Sequence, residues 1–372
     1  MAGGSNSACV RPGTGTALQR AFAVTFEPLL HGGNLNGAIA RYGGAVAEWL
    51  DLSTGISPCS WPVPPLPEAV WQRLPEQGDD LVDAAAAYYA CPPERILPVP
   101  GSQHAISRLP RLWQAAEVAL PYWGYQEHHR AWRRAGHQCL LYRSQRELLA
   151  LLERPDLRYV VVINPNNPTT ERRDPDDLLS LAETLHRRGG RLLVDEAFID
   201  LAPHCSLASR SHPALVVLRS LGKFFGLAGL RLGFVLGDEI DLAALAMATD
   251  PWAVSHPARW VGASALRDAA WQAGQRERLT SLSLRWLQTL RSVLPGLDWS
   301  SAGLFQSAPL GARSAETLWD AGARRHLLLR VVGPQSGEAV LRVGLPRERD
   351  LEDAARRLRR AAGAAGISGV GD

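Results

Sequence analysis

Three short apolar runs constrain this chain most: "YVVVI" (159–163), "RLLVD" (191–195) and "ALVVL" (214–218). None shows the alternation of a strand with one wet face, so each reads as a strand buried on both sides. Each runs into a polar or glycine-rich turn, "NPNNPTT", "EAFID" and "RSLGKFFG". Between the first two, "DPDDLLSLAETLHRRGG" has the acidic start, basic end and glycine stop of a helix. Upstream, "DDLVDAAAAYYA" reads as a helix. "RILPVPGSQHAISRLPRLW" reads as an extended piece, a turn and a helix opening near Ser102. Buried strands alternating with helices imply an α/β fold, a mostly parallel sheet with flanking helices. After about residue 240 the pattern turns more helical, then closes with the strand-like "AVLRVGLP" and a terminal helix. This predicts a smaller α+β domain. The expected division is an N-terminal arm over 1–50 packing on the small domain, a large domain over 51–240 and the small domain over 241–372.

In open parallel sheets ligands sit beyond the carboxyl ends of the strands. Asn167, Asp195, Ser220 and Lys223 fall there. Lys223 is the only lysine in the chain, so the 40 basic residues include 39 arginines. Arginine can replace lysine as a surface charge but not as an amine nucleophile, because the guanidinium keeps its proton. A lysine can lose its proton and form an imine with an aldehyde. A chain biased toward arginine would spare a lysine that does this chemistry. Two other readings fail on their own terms. "SLGK" fits the S-x-x-K pattern of penicillin-interacting serine enzymes, but their S-D-N and K-T-G elements are absent. "GLAGLRLG" does not fit the dinucleotide pattern G-x-G-x-x-G after a strand.

Composition narrows the rest. Forty basic against 37 acidic residues leave a net charge of +3, which argues for no polyanionic partner. "RRLRR" (356–360) reads as a solvated helix face rather than a nucleic-acid site. The five cysteines are scattered, with no zinc-like spacing, so no metal is expected and a reducing compartment is. No apolar run approaches transmembrane length and the N-terminus lacks a secretory core, so a cytoplasmic protein is expected.

Together, "INPNNPT", "VDEAFID", "SLGKFFGLAGLRLGF" and "LRVGLP" resemble, in order, the signatures of the aspartate-aminotransferase-like superfamily of pyridoxal phosphate (PLP) enzymes. The resemblance covers roughly residues 30 to 360 and implies the PLP-dependent transferase fold (fold type I) and a homodimer. It implies that Lys223 carries PLP and that Asp195 faces the pyridine nitrogen. A carboxylate about 4 Å from a pyridinium is worth roughly 4 kcal/mol at an effective dielectric near 20, which keeps the ring protonated. A protonated ring is an electron sink for a developing carbanion. Asn167 would donate to the phenolic oxygen of PLP. Ser220, Arg231 and the helix start Gly101, Ser102 and Gln103 would bind its phosphate. Tyr125, with Trp123 as the alternative, would cover its face. Arg342 would grip a substrate carboxylate with both arms of its fork.

"HGGNL" (31–35), "LDLSTGISP" (50–58) and "WGYQEHHRAWRRAGH" (123–137) are similar to the threonine-phosphate decarboxylase branch of cobalamin biosynthesis, itself similar to histidinol-phosphate aminotransferases. That implies a small phosphorylated amino acid as substrate, with His31 and Gly32 near its phosphate and Asn167 and Arg342 also in contact. The rivals are an aminotransferase and a non-catalytic module on the same fold; the retained lysine argues against the latter. Four positions depart from the pattern: Thr170 for glycine, Phe198 for tyrosine, Leu74 for tyrosine and Ser57 for asparagine.

Overall fold

A computed structural model of the chain describes residues 31–76, 78–333 and 337–367. The first 30 residues of the expected arm lie outside them. Strand β1 (Leu50–Asp51) precedes a seven-stranded sheet formed by β2 (Ile96–Val99), β3 (Glu117–Pro121), β4 (Gln138–Tyr142), β5 (Leu157–Ile163), β6 (Arg191–Asp195), β7 (Leu215–Ser220) and β8 (Gly233–Leu236). Its order is β2-β8-β7-β6-β5-β3-β4. The pairs from β7 to β4 are all parallel, and β8 runs against both β2 and β7. Two reversals restore direction, so β2 points the same way as the parallel strands. The carboxyl ends of β2, β5, β6 and β7 therefore share one edge. All three apolar runs are strands, and the sheet is mostly parallel as the pattern predicts.

The continuous apolar runs have a direct cause. Successive side chains of a strand point to opposite faces. Val160, Val162, Leu192, Val194, Leu215 and Val217 enter one core with Leu81, Leu178 and Leu185 of the covering helices. Tyr159, Val161, Leu193, Val216 and Leu218 enter a second core with Ile106, Leu109, Trp132 and Leu245. Both faces are dry along these apolar runs, so polar residues gather at the strand ends. The predicted helices are Asp80–Tyr89, Ser102–Leu112 and Pro175–His186.

Later in the chain, β9 (Ser300–Ser301), β10 (Phe305–Gly311), β12 (Arg330–Val332) and β13 (Glu338–Gly344) form an antiparallel sheet ordered β12-β13-β10-β9. Strand β11 (Leu327–Leu328) pairs instead with β1, joining residue 50 to residue 327. The long helix Ala269–Val293 and the terminal helix Leu351–Ala364 complete this part. No helix among the described residues is long and apolar enough to cross a membrane.

Candidate active site

Lys223 lies just beyond β7 in a turn of the "SLGKFFG" segment. Its Nζ makes no hydrogen bond to a described residue and stands 5.3 Å from the centre of the Phe198 ring. Burial, together with the positive charges of Arg342 and Arg231, outweighs the pull of Asp195 and lowers the Lys223 amine to about 8. A lysine so poised is neutral often enough at physiological pH to act as a nucleophile.

Asp195 ends β6, one strand over, and is 4% exposed. Its Oδ2 lies 3.0 Å from Nε2 of buried His128, and its Oδ1 accepts from the Ala197 amide at 3.1 Å. His128 sits on the helix Gln126–Arg134, with Nδ1 unpaired among the described residues. Tyr125, at the start of that helix, donates its hydroxyl to Gln103 Oε1 at 2.8 Å and stands edge-on to His128. Burial pushes the Tyr125 phenol up to about 12. Trp123 turns elsewhere, its ring against Tyr122 and close to Gly333.

A cradle of backbone sits beside this cluster. Gly101 has φ of 79° and starts the helix Ser102–Leu112, whose first turn no side chain caps. Uncapped N–H groups at a helix start attract an anion. A Cβ on Gly101 would come within 2.7 Å of Arg231 NH2, so glycine is what lets the guanidinium lie over the helix end. A Cβ on Gly233 would come within 2.6 Å of the Ser102 nitrogen, and Gly233 pairs with Ser220. The structure thus brings Gly101, Ser102, Gln103, Ser220 and Arg231 to one place.

A second cluster is built on the antiparallel sheet. Arg342 on β13 donates to Asn167 Oδ1 at 2.6 Å and to the Ser53 carbonyl at 2.5 Å. With its oxygen taken, the Asn167 amide has its NH2 left to donate. Arg342 faces Ser307 on one neighbouring strand and Arg330 on the other. Directly opposed residues share a face of the sheet. Two guanidiniums therefore stand side by side, and no carboxylate among the described residues pairs with either one. Burial, then Arg330, lowers Arg342 to about 9, so it is still charged at neutral pH. Burial also lowers Arg330. Arg342 Nε and Ser307 Oγ are buried and unpaired among the described residues.

Gly32 packs on the same corner. A Cβ there would come within 2.2 Å of the Ser53 carbonyl, the one that accepts from Arg342, and the Gly33 amide donates to Ser53 Oγ. His31, the first described residue, is exposed.

A family model for aminotransferase class I and II matches residues 73–358. The chain belongs to the class I and II aminotransferase family. Among relatives within it, the chain is 47% identical over 322 residues to a threonine-phosphate decarboxylase of Pseudomonas aeruginosa, covering 86% of this chain and 93% of that one. It is 32% identical over 310 residues to a histidinol-phosphate aminotransferase of Cronobacter sakazakii, covering 76% of this chain and 82% of that one. Among solved structures, the histidinol-phosphate aminotransferase of Sinorhizobium meliloti in complex with pyridoxal-5'-phosphate superposes with a TM-score of 0.76 at 19% identity. That match covers 92% of this chain and 96% of that one.

Two residues that the geometry adds to this candidate site were not singled out from the sequence. His128 is one of two adjacent histidines in "EHHR", and nothing local tells which one turns inward. Arg330 is one arginine among 39, and only its register opposite Arg342 marks it. Two departures are accounted for. Phe198 packs edge-on against Phe305 at 5.0 Å and offers Lys223 a ring face instead of a hydroxyl. The Ser57 hydroxyl donates to the Cys59 carbonyl and accepts from Gln275.

Proposed function

We propose that this chain is a PLP-dependent carboxy-lyase that converts L-threonine O-3-phosphate into (R)-1-amino-2-propanol O-2-phosphate and carbon dioxide for cobalamin biosynthesis. The observation that carries it is the pair Arg342 and Arg330, two opposed guanidiniums with no ion-paired carboxylate among the described residues, Arg342 being close enough to act on Lys223. A substrate with both a carboxylate and a phosphate matches that charge. The similarity to a threonine-phosphate decarboxylase over most of both chains supports the same reading.

The residues fit PLP. The uncapped helix start at Gly101 with Arg231 and Ser220 suits its phosphate, Asp195 its ring nitrogen, Asn167 its phenolic oxygen and Tyr125 its face. When bound to Lys223, the cofactor supplies an electron sink for the pair left by the departing carboxylate. The chain does the rest. Asp195, oriented by His128, holds negative charge where the sink needs a proton retained. Arg342 grips the substrate carboxylate and Arg330 the phosphate, which fixes the bond to be broken. Lys223 lies close enough to Asp195 and Arg342 to feel both charges, and its Nζ is the proton carrier for the substrate Cα. His31 and Gly32 belong to the phosphate contacts on the resemblance of "HGGNL". The division into an arm to residue 50, a large domain over 51–240 and a small domain over 241–372 is part of the same reading, as are a homodimer and a cytoplasmic location.

The second reading, a histidinol-phosphate-type aminotransferase, is favoured by the relative at 32% identity. The test is carbon dioxide release from L-threonine O-3-phosphate by the purified chain with added PLP. Release that is lost in Lys223→Ala supports the decarboxylase. Amino transfer from histidinol phosphate to 2-oxoglutarate without release overturns it.

A further inference from the structure

The lysine turn is held from outside by the proline-dense stretch after residue 56. The Ser57 amide donates to the Lys223 carbonyl and the Trp61 amide to the Phe225 carbonyl, both at 2.9 Å. The Ser60 hydroxyl donates to the Gly226 carbonyl at 3.2 Å. Three carbonyls of a four-residue turn thus take their donors from residues 57–61. Gly226 has φ of 67°, and a Cβ there would come within 2.8 Å of Ser60 Cα, so the two segments lie backbone to backbone.

Residues 57–61 are fastened in turn to the long helix Ala269–Val293. Gln275, 1% exposed, donates from Nε2 to Ser57 Oγ at 3.0 Å and to the Cys59 carbonyl at 2.7 Å. Its Oε1 accepts from Arg278. Trp61 Nε1 donates to Asp268, and the Phe225 ring stacks on Trp271 at 5.6 Å. A buried amide is costly unless its donors and acceptor are paired, and a leucine or methionine would fill the same space without that demand. Gln275 meets the demand in full, and each donated bond ends on the segment that carries the Lys223 carbonyl.

We propose that Gln275 is a positioning residue for Lys223: through Ser57 and Cys59 it sets the height of residues 57–61 over the lysine turn, and so the reach of Nζ. The proposal rests on Lys223 being the residue that carries the cofactor. It explains why Ser57 is compatible with the site although the related decarboxylase pattern has asparagine there. The hydroxyl is spent on the Gln275 amide and the Cys59 carbonyl, not on substrate.

The test uses the full chain loaded with PLP and reads three quantities. These are kcat and KM for L-threonine O-3-phosphate and the pH midpoint of the lysine-bound cofactor absorbance. In Gln275→Met the expected result is a kcat lower by about tenfold or more, since an ångström of misplacement can cost two orders of magnitude. KM stays within about twofold, because Arg330 and Arg342 are untouched, and the midpoint shifts by about half a unit or more. Gln275→Glu, equal in shape but without amide donors at neutral pH, follows the Met variant. Wild-type kcat and an unshifted midpoint in folded Gln275→Met, or wild-type values in Gln275→Glu, overturn the proposal. If Gln275→Met does not fold, Ser57→Ala removes the hydroxyl acceptor while sparing the bond to the Lys223 carbonyl. It is read the same way, with a smaller kcat loss expected and wild-type values overturning. Lys223→Ala is the separate control: cofactor absorbance that persists there removes the reading of Lys223 itself, whatever Gln275 does.

Discussion

His128 Nε2 and Asp195 Oδ2 stand 3.0 Å apart, each side chain almost without solvent exposure. Breaking a buried pair leaves one member without its partner in a dry site. His128→Ala is therefore expected to retain cofactor but to lower kcat by about tenfold, and Asp195→Asn by about a hundredfold or more. Steady-state decarboxylation with the cofactor content measured alongside checks both. Full activity in Asp195→Asn would remove the electron-sink role.

If Arg342 takes the substrate carboxylate and Arg330 the phosphate, as proposed, their variants should separate two affinities. Arg330→Met is expected to raise KM for L-threonine O-3-phosphate by about thirtyfold or more, the cost of about 2 kcal/mol for one lost charge-assisted contact. It should leave inhibition by threonine, which has no phosphate, within about threefold of wild type. Arg342→Met should weaken both. Inhibition and KM measurements on the two variants decide the assignment.

Lys223 offers a clean titration because the chain has no other lysine. With the amine lowered to about 8, its acylation in the cofactor-free protein should rise as pH passes through that value, well below the usual lysine range. The sign for stability follows. Below the folded value both states are protonated and the full penalty of burying the charge is present. As pH rises from about 8 toward the unfolded value the unfolded chain holds more protons, so the folded state gains stability. Mass spectrometry of acylated wild type against Lys223→Arg, which leaves only the terminal amine, reads the first effect.

Arg219, 3% exposed on β7, donates to Asp200 at 2.5 Å and to Ser206 at 2.8 Å, with Glu196 at 3.3 Å. Burial raises the Glu196 carboxyl despite that guanidinium. Arg219→Leu strands two buried acids beside Asp195 and is expected to destabilise the fold by about 3 to 5 kcal/mol. A thermal or denaturant melt measures it, and loss under 1 kcal/mol would contradict the buried-pair account.

The sheet was legible because the three apolar runs are dry on both faces, a condition that admits few residue types. The lysine was legible because a chain that writes arginine everywhere else makes one amine conspicuous. Asp195 and Asn167 were legible as strand-end polar residues and by resemblance. His128 was not, since its partner lies 67 positions away and neighbouring His129 has the same chemistry. Arg330 was not, since its significance depends on which residue of β13 it opposes.

Sequence alone determined the three buried strands, the helices read around them and the one side-chain amine the chain can offer. Those depend on local patterns and on side-chain chemistry that no other residue supplies. Tertiary structure decided which of two histidines turns to Asp195 and which arginine joins Arg342. It also decided that a glutamine on a distant helix reaches the lysine turn through Ser57. Each of these is a contact between residues far apart in the chain, set by strand register and helix packing, and identical residue types elsewhere carry no mark of it.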